Sequence, residues 1–159
     1  KTTTAVNLAV SIAQWGQMAI LVDIDPQGNA TSAVGVRDLP APTLYEALVS
    51  SIHDETEYVS PTVVNSTIPN FHILGAGPDM AGSEVELAEN PRRDNLKIVL
   101  QELQIQYPDA LIIVDTPPSL SLITVNSLVA AECLIIPIQC EYFALEGLGQ
   151  LLRTVERIR

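Results

Sequence analysis

Two short, uninterrupted apolar runs that each end in an aspartate constrain this chain more than any other feature. One runs from Met18 to Asp23 and the other from Ala110 to Asp115. Runs of this length without polar alternation predict strands buried on both faces, as in a parallel sheet covered by helices on both sides. The composition agrees: hydrophobic residues make up 47% of 159 residues, aromatics only 4%. That is enough apolar side chain for one substantial core, hence a single domain or the larger part of one. A net charge of −11 argues against this segment alone gripping nucleic acid through a broad basic surface, without bearing on a patch elsewhere. No apolar run approaches the length of a membrane-spanning helix.

Between the two runs the periodicity alternates. Val6, Ala9, Val10 and Ala13 fall at helical spacing over residues 2–14, with Gly16 where a C-terminal cap belongs. Thr43 and Glu46 form a capping box for a short helix. Residues 60–70 hold two prolines and no periodicity, which predicts a loop; residues 71–74 predict a strand closed by Gly75-Ala76-Gly77-Pro78. Helices are expected over 80–89 and 94–106, separated by Asn90-Pro91, then over 122–131 and 144–159, with a further strand over 134–138. Strands alternating with helices imply right-handed βαβ crossovers. The expected class is therefore α/β, with a mostly parallel sheet. Trp15 and Tyr107, each at a helix end, are expected to be packing residues.

The aspartates acquire a chemical meaning from the first residues. Lys1-Thr2-Thr3-Thr4 opens a helix about twenty residues before Asp23 and has the form of the tail of a phosphate-binding loop. Phosphoryl transfer from ATP or GTP asks a protein for positioning and charge more than for covalent chemistry. On that reading Lys1 neutralises β/γ-phosphate charge and Thr2 ligates Mg²⁺. Asp115 holds the same ion through a water, because Mg²⁺ dehydrates reluctantly. Asp25 or Asp23 remains to orient the attacking water. Taken singly, an aspartate after a strand is usually a turn or helix cap; three elements in this order point to a nucleotide triphosphatase.

With those residues stated, the chain resembles the ParA/Soj family of chromosome- and plasmid-partitioning ATPases, in the deviant Walker A (MinD/ParA) group. The matching stretches are Lys1-Thr2-Thr3-Thr4-Ala5-Val6-Asn7-Leu8-Ala9, Val22-Asp23-Ile24-Asp25-Pro26-Gln27-Gly28-Asn29-Ala30-Thr31 and Val114-Asp115-Thr116-Pro117-Pro118-Ser119-Leu120. Residues 137–148 and 151–155 match as well. The resemblance implies a three-layer P-loop NTPase fold and an ATPase that binds ATP with Mg²⁺. It implies face-to-face homodimerisation around two nucleotides and binding of non-specific DNA in that state. A ParB-like centromere-binding protein would then stimulate hydrolysis and reset the switch. By position, Lys1, Thr2 and Thr3 match the phosphate and Mg²⁺ contacts, Asp115 the Walker B acid, and Asp23 the neighbour of the hydrolytic acid in the switch. Between the two acids left open above, the resemblance favours Asp25 as the one associated with hydrolysis. A cytoplasmic, nucleoid-associated location with no membrane partner follows.

The chain departs from the family pattern at its ends. The glycines of the loop, the signature lysine and the first strand would lie upstream of Lys1, and most DNA-touching basic residues beyond Arg159. Residues 1–159 are thus expected to form one ParA-type ATPase domain incomplete at both ends, inactive as an isolated segment. Arg153 and Arg157, at i and i+4, suit a solvated helix end at least as well as a DNA contact. A MinD-like ATPase reads differently after the second switch aspartate. A nitrogenase iron-protein relative would need cluster cysteines near the nucleotide switches, whereas Cys133 and Cys140 flank a predicted strand and read as buried free thiols. A scaffold that uses ATP only to dimerise is the alternative from another class. His53 and His72 have no metal-like spacing to either cysteine.

Overall fold

A computed structural model describes residues 1–53, 58–89, 93–139 and 141–158. Along the chain run α1 (Thr2–Gln14), β1 (Ala19–Asp23), α2 (Asn29–Ala33), α3 (Leu44–His53), β2 (Val64–Asn65) and β3 (Phe71–Leu74). There follow α4 (Met80–Glu89), α5 (Asn95–Gln106), β4 (Leu111–Asp115), α6 (Leu122–Ala130) and α7 (Tyr142–Ile158). The strands form a sheet in the order β2-β3-β1-β4, with β1 parallel to both β3 and β4 and β2 antiparallel to β3. The expected α/β class with a mostly parallel sheet holds.

Strand β1 is buried along its whole length, and its two faces feed two cores. Ala19 and Leu21 pack with Ala9, Ala13, Ala30, Phe71 and Ile73, the side covered by α1 and α2. Ile20 and Val22 point the other way, into a larger cluster with Leu74 of β3 and Leu44, Leu48, Met80, Leu87, Leu96, Val99, Leu103 and Ile123 from α3, α4, α5 and α6. Period-2 alternation therefore exists in this strand, but both of its faces are apolar. The continuous run read from the sequence is the trace of a three-layer arrangement.

Helix boundaries follow local chemistry. The Gly16 amide donates to the Ala13 carbonyl and the Gln17 amide to the Ile12 carbonyl, a Schellman pair that ends α1. At α3 the Glu46 carboxylate accepts from the Thr43 amide, the reciprocal half of the capping box.

Five expectations need correction. Strand β4 is not buried on both faces: Leu111 is 48% exposed and residues 112–114 are only partly buried. Residues 134–138 carry no strand: Leu134, Ile135 and Ile138 are exposed, and β4 has a ladder partner on one side only among the described residues. A strand needs a neighbour to satisfy its backbone, and apolar content does not replace one. The 60–70 loop contains the two-residue β2, pinned on β3, with the His72 Nδ1 and Asn65 Oδ1 atoms 2.7 Å apart. Trp15 does not pack; it is 86% exposed, whereas Tyr107 does join the larger core. Cys133 is a free thiol but an exposed one. Cys140, the Asn90-Pro91 break and Arg159 lie outside the described residues.

The contrast between buried and exposed apolar groups predicts a stability difference. Ile20→Ala should lower the unfolding free energy by about 2–5 kcal/mol, and Trp15→Ala by less than about 0.5 kcal/mol. Equilibrium urea unfolding of the two variants checks both.

Candidate functional site

Parallel pairing sets the register Ala19 with Leu111 through Asp23 with Asp115, so the two strand-terminal acids stand side by side. Both are buried, Asp23 at 0% and Asp115 at 2% exposure, and Asp25 is buried at 6%. They lie at the carboxyl ends of β1 and β4, where open α/β sheets gather their ligands. The start of α1 reaches the same place. Lys1 caps that helix, and its Nζ donates to the Pro117 carbonyl at 2.6 Å, two residues past Asp115. Thr2, half-buried in the first turn, lies beside the Asp115 carboxylate, and its side chain favours the charged form of that acid. A helix N-terminus adds partial positive charge and free N–H groups.

The two adjacent acids have been given different surroundings. Asp23 accepts from the Thr31 hydroxyl at 2.7 Å and the Thr31 amide at 2.8 Å, both on Oδ2, and from the Asp25 amide at 3.2 Å on Oδ1. Burial pushes its carboxyl up, the Thr31 and Asp25 donors pull it back, and the neighbouring Asp115 charge adds to the rise. Asp115 is also pushed up by burial, opposed by the Thr2 side chain and the Lys1 charge and reinforced by Asp25. Its Oδ2 is buried and has no hydrogen-bond partner among the described residues. Asp23 is therefore bound up in the fold, and Asp115 holds an oxygen in reserve.

Asp25 sits on a turn that the sequence makes almost obligatory. The Gly28 amide donates to the Asp25 carbonyl at 2.8 Å, and the Gln27 amide to the Asp25 carboxylate at 3.0 Å. Asp, Pro and Gly at the first, second and fourth positions are what a type I turn favours. Gly28 has φ +59, and a Cβ there would meet the Ala76 carbonyl at 3.2 Å, so a side chain would be strained by the backbone and crowded by that carbonyl.

The structure thus brings together Lys1, Thr2, Asp23, Asp25 and Asp115. Thr3 is exposed in the first turn of α1, where its carbonyl accepts from Asn7 Nδ2 at 2.7 Å. Two contributors escaped the sequence reading, the Pro117 carbonyl under Lys1 and the Thr31 side chain. Backbone carbonyls leave no sequence signal, but a threonine in the first turn after an Asp-x-Asp-Pro-Gln-Gly stretch was open to question.

Could these residues hold a magnesium ion? A buried, partnerless carboxylate oxygen beside a threonine hydroxyl is a hard-oxygen pair of the kind Mg²⁺ takes while keeping waters and phosphate oxygens. Among the described residues no group of three or more His, Cys, Asp or Glu has the geometry of an all-protein metal cage. The donor set fits an ion brought in with a phosphate. Arg153, read as a solvated helix end at least as readily as a DNA contact, is exposed and donates its Nε to the Gly149 carbonyl of its own helix at 3.1 Å. No described helix is long and apolar enough to cross a membrane.

Comparison with known proteins agrees with this geometry. The family profile described as "AAA domain" matches residues 1–159. The chromosome partitioning protein ParA of Caulobacter vibrioides is 39% identical over all of this chain and 58% of its own length. The sporulation initiation inhibitor protein Soj of Bacillus subtilis is 42% identical over all of this chain and 61% of its own. The chain thus spans about three-fifths of these relatives. Among solved structures, the cobyrinic acid a,c-diamide synthase of Mycobacterium smegmatis with bound ADP and magnesium superposes with a TM-score of 0.83 and 34% identity. That match covers 99% of this chain and 62% of the synthase.

Opposite stability effects are expected from the two acids. Asp23→Ala, which orphans three donors, should lower the unfolding free energy by about 2–4 kcal/mol. Asp115→Asn should raise it by about 1 kcal/mol in ligand-free protein at neutral pH, because a desolvated charge is removed. Since the folded state holds the Asp115 proton more tightly than the unfolded chain does, its destabilising contribution is present at neutral pH. It is relieved as pH falls through the raised folded value. Thermal melts at a series of pH values should show this contribution in the parent protein and its loss in Asp115→Asn.

Proposed function

The chain belongs to the AAA-domain family, and from that premise we propose that it forms the main part of the ATPase domain of a ParA/Soj-type DNA-segregation protein. The observation that carries the reading is the buried, partnerless Oδ2 of Asp115 set beside Thr2 and Lys1 at the mouth of two parallel strands. A structural aspartate would have its oxygens satisfied, as those of Asp23 are.

The site's own residues divide the work. Lys1, with Thr3 beside it in the helix's first turn, binds the β/γ-phosphate oxygens, and its ammonium leaves the Pro117 carbonyl to do so. Thr2 and Asp115 hold Mg²⁺. When bound, that ion neutralises charge developing on the transferred phosphoryl group. Asp25 orients the attacking water and takes up its proton, from a turn that hardly lets its carboxylate move. Asp23 belongs to the nucleotide switch through the turn it fastens. We assign Mg·ATP-driven sandwich dimerisation, non-specific DNA binding in the ATP state, and release on hydrolysis stimulated by a ParB-like partner to the complete gene product. Its place is the cytoplasm, on the nucleoid. The similarity to the chromosome partitioning protein ParA of Caulobacter vibrioides supports this part of the reading.

Mg·ATP hydrolysis by the complete gene product, with and without duplex DNA, tests it. Turnover should be slow, rise when DNA is added, and fall at least about 100-fold in Asp25→Ala. Nucleotide binding with no turnover in the unaltered protein would instead support a scaffold that uses ATP only to dimerise.

A further inference from the structure

Thr31 occupies a junction that none of the roles above uses. Its side chain, 5% exposed with the rest of the residue, joins three separate pieces of chain. The hydroxyl donates to Asp23 Oδ2 at 2.7 Å, at the end of β1. It also accepts from the Ala76 amide at 3.1 Å, in the loop that closes β3. Thr31 itself lies in α2, directly after the Asp25–Gly28 turn. A hydroxyl has one proton to give, and Asp23 takes it; a lone pair faces Ala76. Neither can rotate away without leaving a buried group unsatisfied.

The surrounding contacts show that this junction is built closely. A Cβ added at Gly75 would lie 2.8 Å from Thr31 Cγ2, 3.0 Å from Thr31 Oγ1 and 2.6 Å from Leu39 Cδ2. Leu39 is the end of a flexible side chain, but Thr31 is held by two hydrogen bonds. From the other side, the Ala76 carbonyl oxygen stands 3.2 Å from where a Cβ on Gly28 would be. The turn that carries Asp25 is thus gripped at Gly28 by Ala76 and through Asp23 by Thr31, and Thr31 holds Ala76.

We propose that Thr31 is a positioning residue for hydrolysis, fixing the Asp25 turn against the end of β1 and locking it to the Gly75–Gly77 loop. The assignment rests on the ATPase reading. Asp25 must be aimed at a water through a short, bonded turn, and an error of about 1 Å in such an arrangement lowers the rate by up to about 100-fold. Thr31 touches neither the phosphates nor the metal in this scheme, so the loss should fall on the rate and spare nucleotide binding.

The experiment compares Thr31→Val, Thr31→Ser and Gly75→Ala in the complete gene product. Valine keeps the shape and removes the hydroxyl; serine keeps the hydroxyl. Thr31→Val should lower kcat by about 10–100-fold and leave KM for Mg·ATP within about threefold. It should also speed hydrogen exchange at the Ala76 amide. Thr31→Ser should restore most of kcat and the protection of Ala76, and Gly75→Ala, which presses on Thr31 from the loop side, should lower kcat in the same sense. Unchanged turnover in Thr31→Val would overturn the assignment while leaving the ATPase reading intact. So would equal losses of kcat and affinity that serine does not repair, which mark a merely structural threonine. Absence of turnover in the unaltered protein would overturn the ATPase reading and this assignment with it.

Discussion

Parallel pairing of β1 with β4 forces two buried aspartates, Asp23 and Asp115, into adjacent positions, and the rest of the site follows from how the chain accommodates them. Two carboxylates side by side in an apolar sheet are unfavourable unless each finds donors or counter-charge. The chain supplies these unequally. Three donors from Thr31 and Asp25 converge on Asp23, which makes it the anchor of the turn that follows. Asp115 is favoured in its charged form only by the nearby Thr2 side chain and positive charge at Lys1, and keeps an oxygen with no partner among the described residues. One acid holds the architecture; in the proposed function the other serves a cation.

The layers around the sheet serve that arrangement. Alternate residues of β1 fill two cores, so the strand is fixed from both faces and its C-terminal end has little freedom. Helix α1, packed on one face, delivers Lys1 and Thr2 to the same end of the sheet. The Asp25–Gly28 turn then leaves β1 in a conformation determined by proline, glycine and the Asp25 carboxylate, not by the ligand. Preorganisation of this kind is what phosphoryl transfer demands, since the protein contributes chiefly position and charge.

Much of this was legible in the sequence, and the failures share a physical cause. Helix α1 was read to its last residue because apolar spacing and a terminal glycine agree there. Strands β1 and β4 are visible as apolar runs, Asp23, Asp25 and Asp115 as the acids at or just past their ends, and Lys1 and Thr2 as the start of α1; of the two strands only β1 is buried throughout. Residues 134–138 are as apolar, Pro137 included, but have no ladder neighbour among the described residues, and pairing is not a property of a segment in isolation. Trp15 shows the converse: a large apolar residue was taken for core because residue type cannot reveal what covers it. The Thr31 junction depends on a contact between residues 31 and 76, which local pattern does not encode.

In the proposed function, Asp115 Oδ2 has no partner among the described residues because it serves a cation that arrives with phosphate. Titration calorimetry of ATP binding to the complete gene product, with Mg²⁺ and with EDTA, for the unaltered protein and Asp115→Asn, tests it most directly. The account predicts that Mg²⁺ strengthens ATP binding by at least about tenfold in the unaltered protein, or about 1.4 kcal/mol, and has little effect in the variant. Equal dependence on Mg²⁺ in the two proteins would contradict it, and Asp115 would then be only a buried residue of the fold.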